Sequence, residues 1–503
     1  SPTWLAHGPI ATSDAAAALF LAASTGAYWW QLRGSGPGRI LASALIFGLA
    51  CVAKFSAVLL LPIFVLLTVL HLARQPVAER RPGRVIGRLA LHGAAAVLVI
   101  WAFFGFRYTA FAPGLPPADH FIRSWDWMLS QVGWQRPVID FLRQWHLLPE
   151  AFLFGYTHAY VGSQLRAAFL AGDYSTQGWV QFFPLAFLWK STPAELAGLV
   201  LAILAAVRNH TRFGVWAVRL APLLALVVVY GGVALTSHLN IGQRHLLPLY
   251  PAVFIVAGVA AWRLSRVPRV RFVFAAALVA SQALVAARTH PHYLAYFNVL
   301  AGGPTQGWRL LVDSSLDWGQ DLPGLKTWLD RNNTGAQAAP VFLSYFGSGE
   351  PDYYHIAAHR LPSVNDFKFP HHWYQTTAGL YCVSATMLQQ VYSPLRGEWS
   401  LAWEREYQEG RLKEPLFWKY WTDAATREEV RATGAAEAFE RTWQRYDLLR
   451  FARLCHFLRA RRPEAVIGHS IFIHRLSQAE IDAALNGTYS DWLRAVEQAA
   501  APR

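Results

Sequence analysis

The sequence predicts an α-helical polytopic membrane domain of about eight spans over residues 1–288, followed by an extracytoplasmic α/β domain over residues 289–503. Composition is the first reason: the 503-residue chain is 54% hydrophobic and 15% charged, whereas a soluble chain of this size carries about a quarter charged residues. The second is charge distribution, since only eight of the 31 acids (Asp14, Glu79, Asp119, Asp126, Asp140, Glu150, Asp173 and Glu195) precede residue 289. The third is a change of pattern near that point, where long apolar windows give way to short β-like runs between amphipathic stretches.

In chain order, windows free of Asp, Glu, Lys and Arg fall at about 15–32, 40–53, 55–73, 89–106, 196–207, 220–236, 247–262 and 272–287. Several are shorter than the roughly 20 residues that cross a bilayer, so they must borrow flanking residues or re-enter. Arginines orient them. The loops 74–88, 208–219 and 263–271 hold Arg74, Arg80, Arg81, Arg84 and Arg88, then Arg208, Arg212 and Arg219, then Arg263, Arg266, Arg269 and Arg271. Such loops stay cytoplasmic. Counting spans from them puts Ser1–Asp14, Lys54, the stretch 109–190, the loop 237–246 and everything after 288 on the outer side. The outer loop 109–190 is rich in Trp, Tyr and Phe, which favour the headgroup zone. From 289 onward, Val341–Phe346, Gly379–Ser384 and Ala465–Ile473 read as strands, and 435–460 as a helix.

The formal charge of +14 resides largely in those short loops, so no nucleic-acid partner is expected. Three cysteines are too few for a disulfide framework; Cys51 lies in an apolar run, while Cys382 and Cys455 could pair in an oxidising compartment. The chain starts at Ser1 with no signal-type segment and is expected to lack its true N-terminus.

Ionisable groups near hydrocarbon are costly unless they have a partner or a task, so the outer loops are where chemistry is sought. In His7 to Asp14, either Ser13 or Asp14 caps the following helix, or Asp14 serves as a metal or acceptor ligand with His7 beside it. Lys54, between two apolar windows, either snorkels to the interface or pairs with a lipid phosphate. Gly172 to Trp179, leading to Lys190, is either an interfacial belt or a sugar platform in which Asp173, Tyr174, Gln177 and Trp179 meet a ring. Thr236 to His245 holds His238, Asn240, Gln243, Arg244 and His245 with no acid; a cationic loop at the lipid boundary calls for an anion, and the Arg fork suits phosphate. Asp313, Asp317 and Asp321, with Trp318 and Gln320 between them, suit a divalent cation, a sugar, or helix caps. Walker loops, nucleophile elbows, Cys-x-x-Cys pairs and dinucleotide fingerprints are absent from the sequence.

The order of these motifs resembles the C-type, polyprenyl-phosphate-sugar-dependent glycosyltransferase superfamily, in particular bacterial members similar to protein O-mannosyltransferases and lipid A aminoarabinose transferases. The pieces that carry it are His7 to Asp14, Gly48-Leu49-Ala50 with Lys54-Phe55-Ser56, Gly172 to Lys190, Asn240 to Pro248 and Leu316 to Asp321. The resemblance implies an integral enzyme of the bacterial cytoplasmic (inner) membrane. Its donor is a polyprenyl-phosphate sugar entering from the bilayer, and its acceptor an extracytoplasmic protein hydroxyl, lipid or glycan. It implies that Asp14, with His7, shapes the catalytic, metal or acceptor site, and that Lys54, Arg244 and His245 hold the donor phosphate. Asp173, Tyr174, Gln177, Trp179, Asn240, Gln243, Asp317, Trp318 and Gln320 are the sugar or acceptor candidates. A divalent cation, Mg or Mn, is the one cofactor considered, with Asp14 as its candidate ligand. The family's general base would lie upstream of Ser1. The alternative class is a transporter or binding protein for lipid headgroups or lipid-linked sugars; against it, transporters place ionisable groups at mid-membrane, whereas these spans are nearly charge-free.

Overall fold

The computed structural model describes residues 1–503 except 11, 35, 113, 115–119, 209–212, 264–266, 336–337, 365–374 and 502–503. Contacts divide the chain into two units, one of residues 1–166 and 176–293, the other of residues 167–175 and 294–503.

The first unit is helical: α1 (Pro2–His7), α2 (Asp14–Leu32), α3 (Pro37–Ala53), α4 (Leu60–Ala73), α5 (Pro82–Phe103), α6 (Trp125–Ser130), α7 (Arg136–Gln144), α8 (Glu150–Gln164), α9 (Phe182–Lys190), α10 (Pro193–Arg208), α11 (Phe213–Arg219), α12 (Ala221–Leu235), α13 (Tyr250–Arg263) and α14 (Pro268–Thr289). Among the described residues four helical segments are long and apolar enough to cross a membrane: Phe55–Ala73, Pro82–Phe103, Gln243–Arg263 and Pro268–Thr289. A fifth is reached if α9 and α10, bent by 114° against each other, form one broken span. The expected eight are therefore not reached by length and composition. The reasons are local. Helices α3 and α12 have 17 and 15 residues, α2 carries Ser24, Thr25 and Gln31 within its 19 residues, and Pro193 disfavours helix at Thr192 before it.

Helix α14 buries none of its side chains, and Phe272, Val273 and Val279 are exposed along it. From Phe272 to Ala287 every exposed position is apolar, and such a face turned outward over about four turns calls for hydrocarbon. Elsewhere α2 is the hub. Tyr28 stacks on Phe64 with ring centroids 3.9 Å apart and its hydroxyl meets Thr68 at 2.7 Å, while Ser43 of α3 bonds His92 of α5 at 2.9 Å. Interhelical hydrogen bonds of this kind hold apolar helices together where burial in lipid gives little drive.

The second unit carries an antiparallel hairpin, β1 (Ala168–Leu170) with β2 (Asp173–Ser175), and a five-stranded sheet of β3 (Val341–Ser344), β4 (His359–Arg360), β5 (Gly379–Ser384), β6 (Ala465–Ile467) and β7 (Ile471–Leu476) in the order β4-β3-β5-β7-β6. Strand β3 runs parallel to β4 and β5; β7 runs antiparallel to β5 and β6. Helix α15 (Leu322–Asn332) lays Leu322, Leu325 and Leu329 on Val341, Leu343, Leu380, Cys382, Ile471 and Ile473. Helices α16 (Ala385–Leu388), α17 (Leu401–Leu412), α18 (Glu414–Thr422), α19 (Ala424–Ala432), α20 (Ala436–Ala460), α21 (Gln478–Ile481) and α22 (Tyr489–Ala500) complete it. An aromatic core of Trp399, Tyr407, Phe417, Trp443, Tyr446 and Trp492 surrounds Arg453, whose guanidinium reaches both oxygens of Glu404 at 3.0 and 3.2 Å. Cys382 and Cys455 are buried free thiols rather than a pair.

Candidate functional site

Three of the loop residues singled out by sequence meet, although 40 and 230 positions separate them. Asp14 opens α2, Lys54 follows α3 in an extended conformation at φ −163°, and Arg244 lies in a 3-10 turn over Gln243–Leu249 that runs into α13. Lys54 Nζ donates to Asp14 Oδ1 in a short contact, and Arg244 donates to Asp14 Oδ2 at 3.4 Å. The expected helix cap is not made: neither Ser13 nor Asp14 caps α2 through its side chain. The carboxylate is buried, with 1% of its surface exposed, while Lys54 keeps 23% and Arg244 16%. Both cations thus hold the acid while part of each side chain stays exposed.

The neighbouring loops are fastened to hold this arrangement. Tyr230 of α12 donates to the His245 carbonyl at 2.9 Å, and Thr3 of α1 donates to the Gln243 side chain at 3.3 Å, which also contacts the Tyr250 hydroxyl. The Asn240 side chain accepts from the Trp179 amide at 2.6 Å; Gly178 beside it has φ +72°, and a Cβ there would collide with that amide group. Asn240 and Gln243 are both 1% exposed; Asn240 positions backbone, while Gln243 ties the side chains of Thr3 and Tyr250 together. His7 is buried at the end of α1, with no hydrogen-bond partner at Nδ1, and His245 has none at Nε2. Burial first, then the Lys190 cation, lowers the His7 pKa to about 4. This imidazole is neutral at physiological pH. Lys190, only 3% exposed, was not singled out as a site residue by sequence; a buried lysine ending an apolar helix is the signal that could have found it.

Asp14 is poorly placed for a divalent cation, because each of its oxygens faces a positive side chain. Among the described residues no three His, Cys, Asp or Glu side chains gather as a metal site.

The predicted sugar platform divides. Gln177 and Trp179 belong to the first unit; Asp173 and Tyr174 belong to the second. There Asp173 is exposed in β2, and the Tyr174 hydroxyl donates to the Gln389 carbonyl at 2.8 Å. Asp317, Trp318 and Gln320 also lie in the second unit, in a loop at the ends of β3 and β5. Gly319 and Gly347 approach so closely that a Cβ on either would meet backbone. Gln320 is spent on this loop, accepting from the Trp318 amide at 2.8 Å and donating to Asp321 at 2.8 Å and the Leu316 carbonyl at 3.2 Å. Asp317 is 1% exposed; burial outweighs its hydrogen bonds from Ser384 and the Gly319 amide and pushes its carboxyl up to about 8.

No family model matches the chain, and neither a curated protein nor a solved structure is similar to it.

Proposed function

We propose that the chain is an integral-membrane glycosyltransferase that moves a sugar from a polyprenyl-phosphate donor to an extracytoplasmic hydroxyl on protein, lipid or glycan. The observation that supports this most is the convergence of Lys54 and Arg244, from loops far apart in sequence, on the buried Asp14. In this reading the four long apolar segments, the bent α9–α10 pair and the shorter α2, α3 and α12 cross a bacterial cytoplasmic membrane, which returns the count to eight. The cluster then faces outward, together with the second unit, and the arginine-rich loops face the cytoplasm.

A phosphate arriving from the bilayer would meet the exposed parts of Lys54 and Arg244. As the bond between the anomeric carbon and the phosphate oxygen breaks, charge develops on that oxygen, and two cations already held in place stabilise it without reorganising. The acceptor oxygen attacks the opposite face of the anomeric carbon, with inversion, and its proton passes to a base. Asp14 is a poor candidate for that base because both its oxygens face cations; it fixes Lys54 and Arg244 against each other. Trp179 offers a ring for the sugar, on a backbone pinned by Asn240.

The test is to incubate membranes containing the protein with labelled polyprenyl-phosphate sugars and follow the label. Transfer of the label from polyprenyl phosphate to a different acceptor, abolished by Arg244→Ala in a folded protein, is expected. Label that crosses the bilayer while still on its lipid would replace this function with transport, and unchanged transfer by Arg244→Ala would remove the phosphate role.

A further inference from the structure

At the other end of α2, 18 residues and so about 27 Å from Asp14, lies a cavity of ≈ 290 Å³ lined by Gly26, Trp29, Trp30, Arg33 and Arg39. The Arg39 guanidinium stands over the Trp30 ring at 4.7 Å and closes on Gly34, where an added Cβ would lie 2.1 Å from its Nη1. Arg33 caps α2 with no acid facing it, and among the described residues neither arginine forms an ion pair. Trp29 is 7% exposed, yet its indole N–H has no acceptor, and a buried donor left unmatched is costly. Arg88 of α5 adds a third cation nearby, donating to the Gln31 carbonyl at 3.2 Å.

Arginines placed only to keep a loop cytoplasmic would not need to line a cavity together. The two guanidinium forks offer only donors, which suits an anion rich in acceptors such as a phosphate group. The volume is at the small end for a ligand cavity and suits a headgroup. Apolar chains would lie outside, where α3 presents Leu41 and Leu45, 56% and 44% exposed, beginning two residues beyond Arg39. Basic pockets between helices at the cytoplasmic face are a recognised setting for anionic headgroups.

We infer that the cavity between the end of α2 and the start of α3 binds the phosphate of an anionic phospholipid, held by Arg33 and Arg39. This site is separate from the proposed donor site and does not depend on it. The full chain in detergent is titrated with phosphatidylglycerol or phosphatidylcholine, and bound lipid is counted by intact-protein mass spectrometry. Phosphatidylglycerol should bind preferentially, and Arg33→Gln with Arg39→Gln should weaken it about thirtyfold while phosphatidylcholine is unaffected. Equal binding of the two lipids, or a preference that survives the double variant, overturns the inference. So does displacement by millimolar inorganic phosphate alone, since the acyl chains would then contribute nothing.

Discussion

Replacing Asp14 with Asn keeps the side chain's shape and removes the one negative charge between Lys54 and Arg244. Both oxygens of Asp14 now accept from cations, and removing one member of a buried ion pair leaves its partners desolvated and uncompensated, a loss of about 3–5 kcal/mol. Lys54 and Arg244 retain 23% and 16% of their exposure, so water softens that penalty and the lower end, about 3 kcal/mol, is expected. For a unit of this size that corresponds to a fall of roughly 6–12 °C in melting temperature. Polyprenyl phosphate should restore much of it, because the phosphate returns negative charge to the same two cations. The assay is thermal denaturation of wild type and Asp14→Asn in lipid nanodiscs, each with and without saturating polyprenyl phosphate. The variant should melt lower and gain more from the ligand. An Asp14→Asn protein that melts with the wild type, or two proteins stabilised equally, would refute the reasoning.

Two further predictions concern the second unit. Arg453, fully buried against Glu404 and also donating to the Ala484 and Gly487 carbonyls, should cost about 3–5 kcal/mol when replaced by Met, which leaves Glu404 uncompensated; chemical denaturation reads this, and an unchanged midpoint would contradict it. Asp317 binds its proton more tightly folded than unfolded, so its contribution to stability is fully present below pH 3.8 and is lost as pH rises toward about 8, by up to about 1.4 kcal/mol per pH unit. Asp317→Asn should therefore stabilise the protein relative to wild type more at pH 7 than at pH 5, and a difference independent of pH would exclude a buried protonated carboxyl.

Much of the second unit was legible. The β-branched and aromatic runs at Val341, Gly379 and Ala465 become β3, β5 and the β6–β7 pair, and the amphipathic stretch at 435–460 becomes α20. The two-residue β4 is too short to leave a pattern, and the hairpin at Ala168–Ser175 hides inside an aromatic-rich loop. In the first unit, hydropathy windows mark apolar segments but not their bends, so the break between Lys190 and Pro193 was invisible. For the cluster, the arginine-rich loops placed Lys54, Asp14 and Arg244 on one side. What no spacing encodes is that Asp14 accepts from both cations. The run from Asp173 to Trp179 looked continuous because sequence cannot show that the chain passes between two units partway along it.

The account rests on Lys54 and Arg244 gripping a prenyl-linked phosphate. Affinity for polyprenyl phosphate, measured on the protein in nanodiscs, is the most direct test. Lys54→Ala and Arg244→Ala should each weaken binding at least tenfold, the loss expected of a charge-assisted contact worth about 1.5–3 kcal/mol. Binding by both variants as tight as that of the wild type would contradict it.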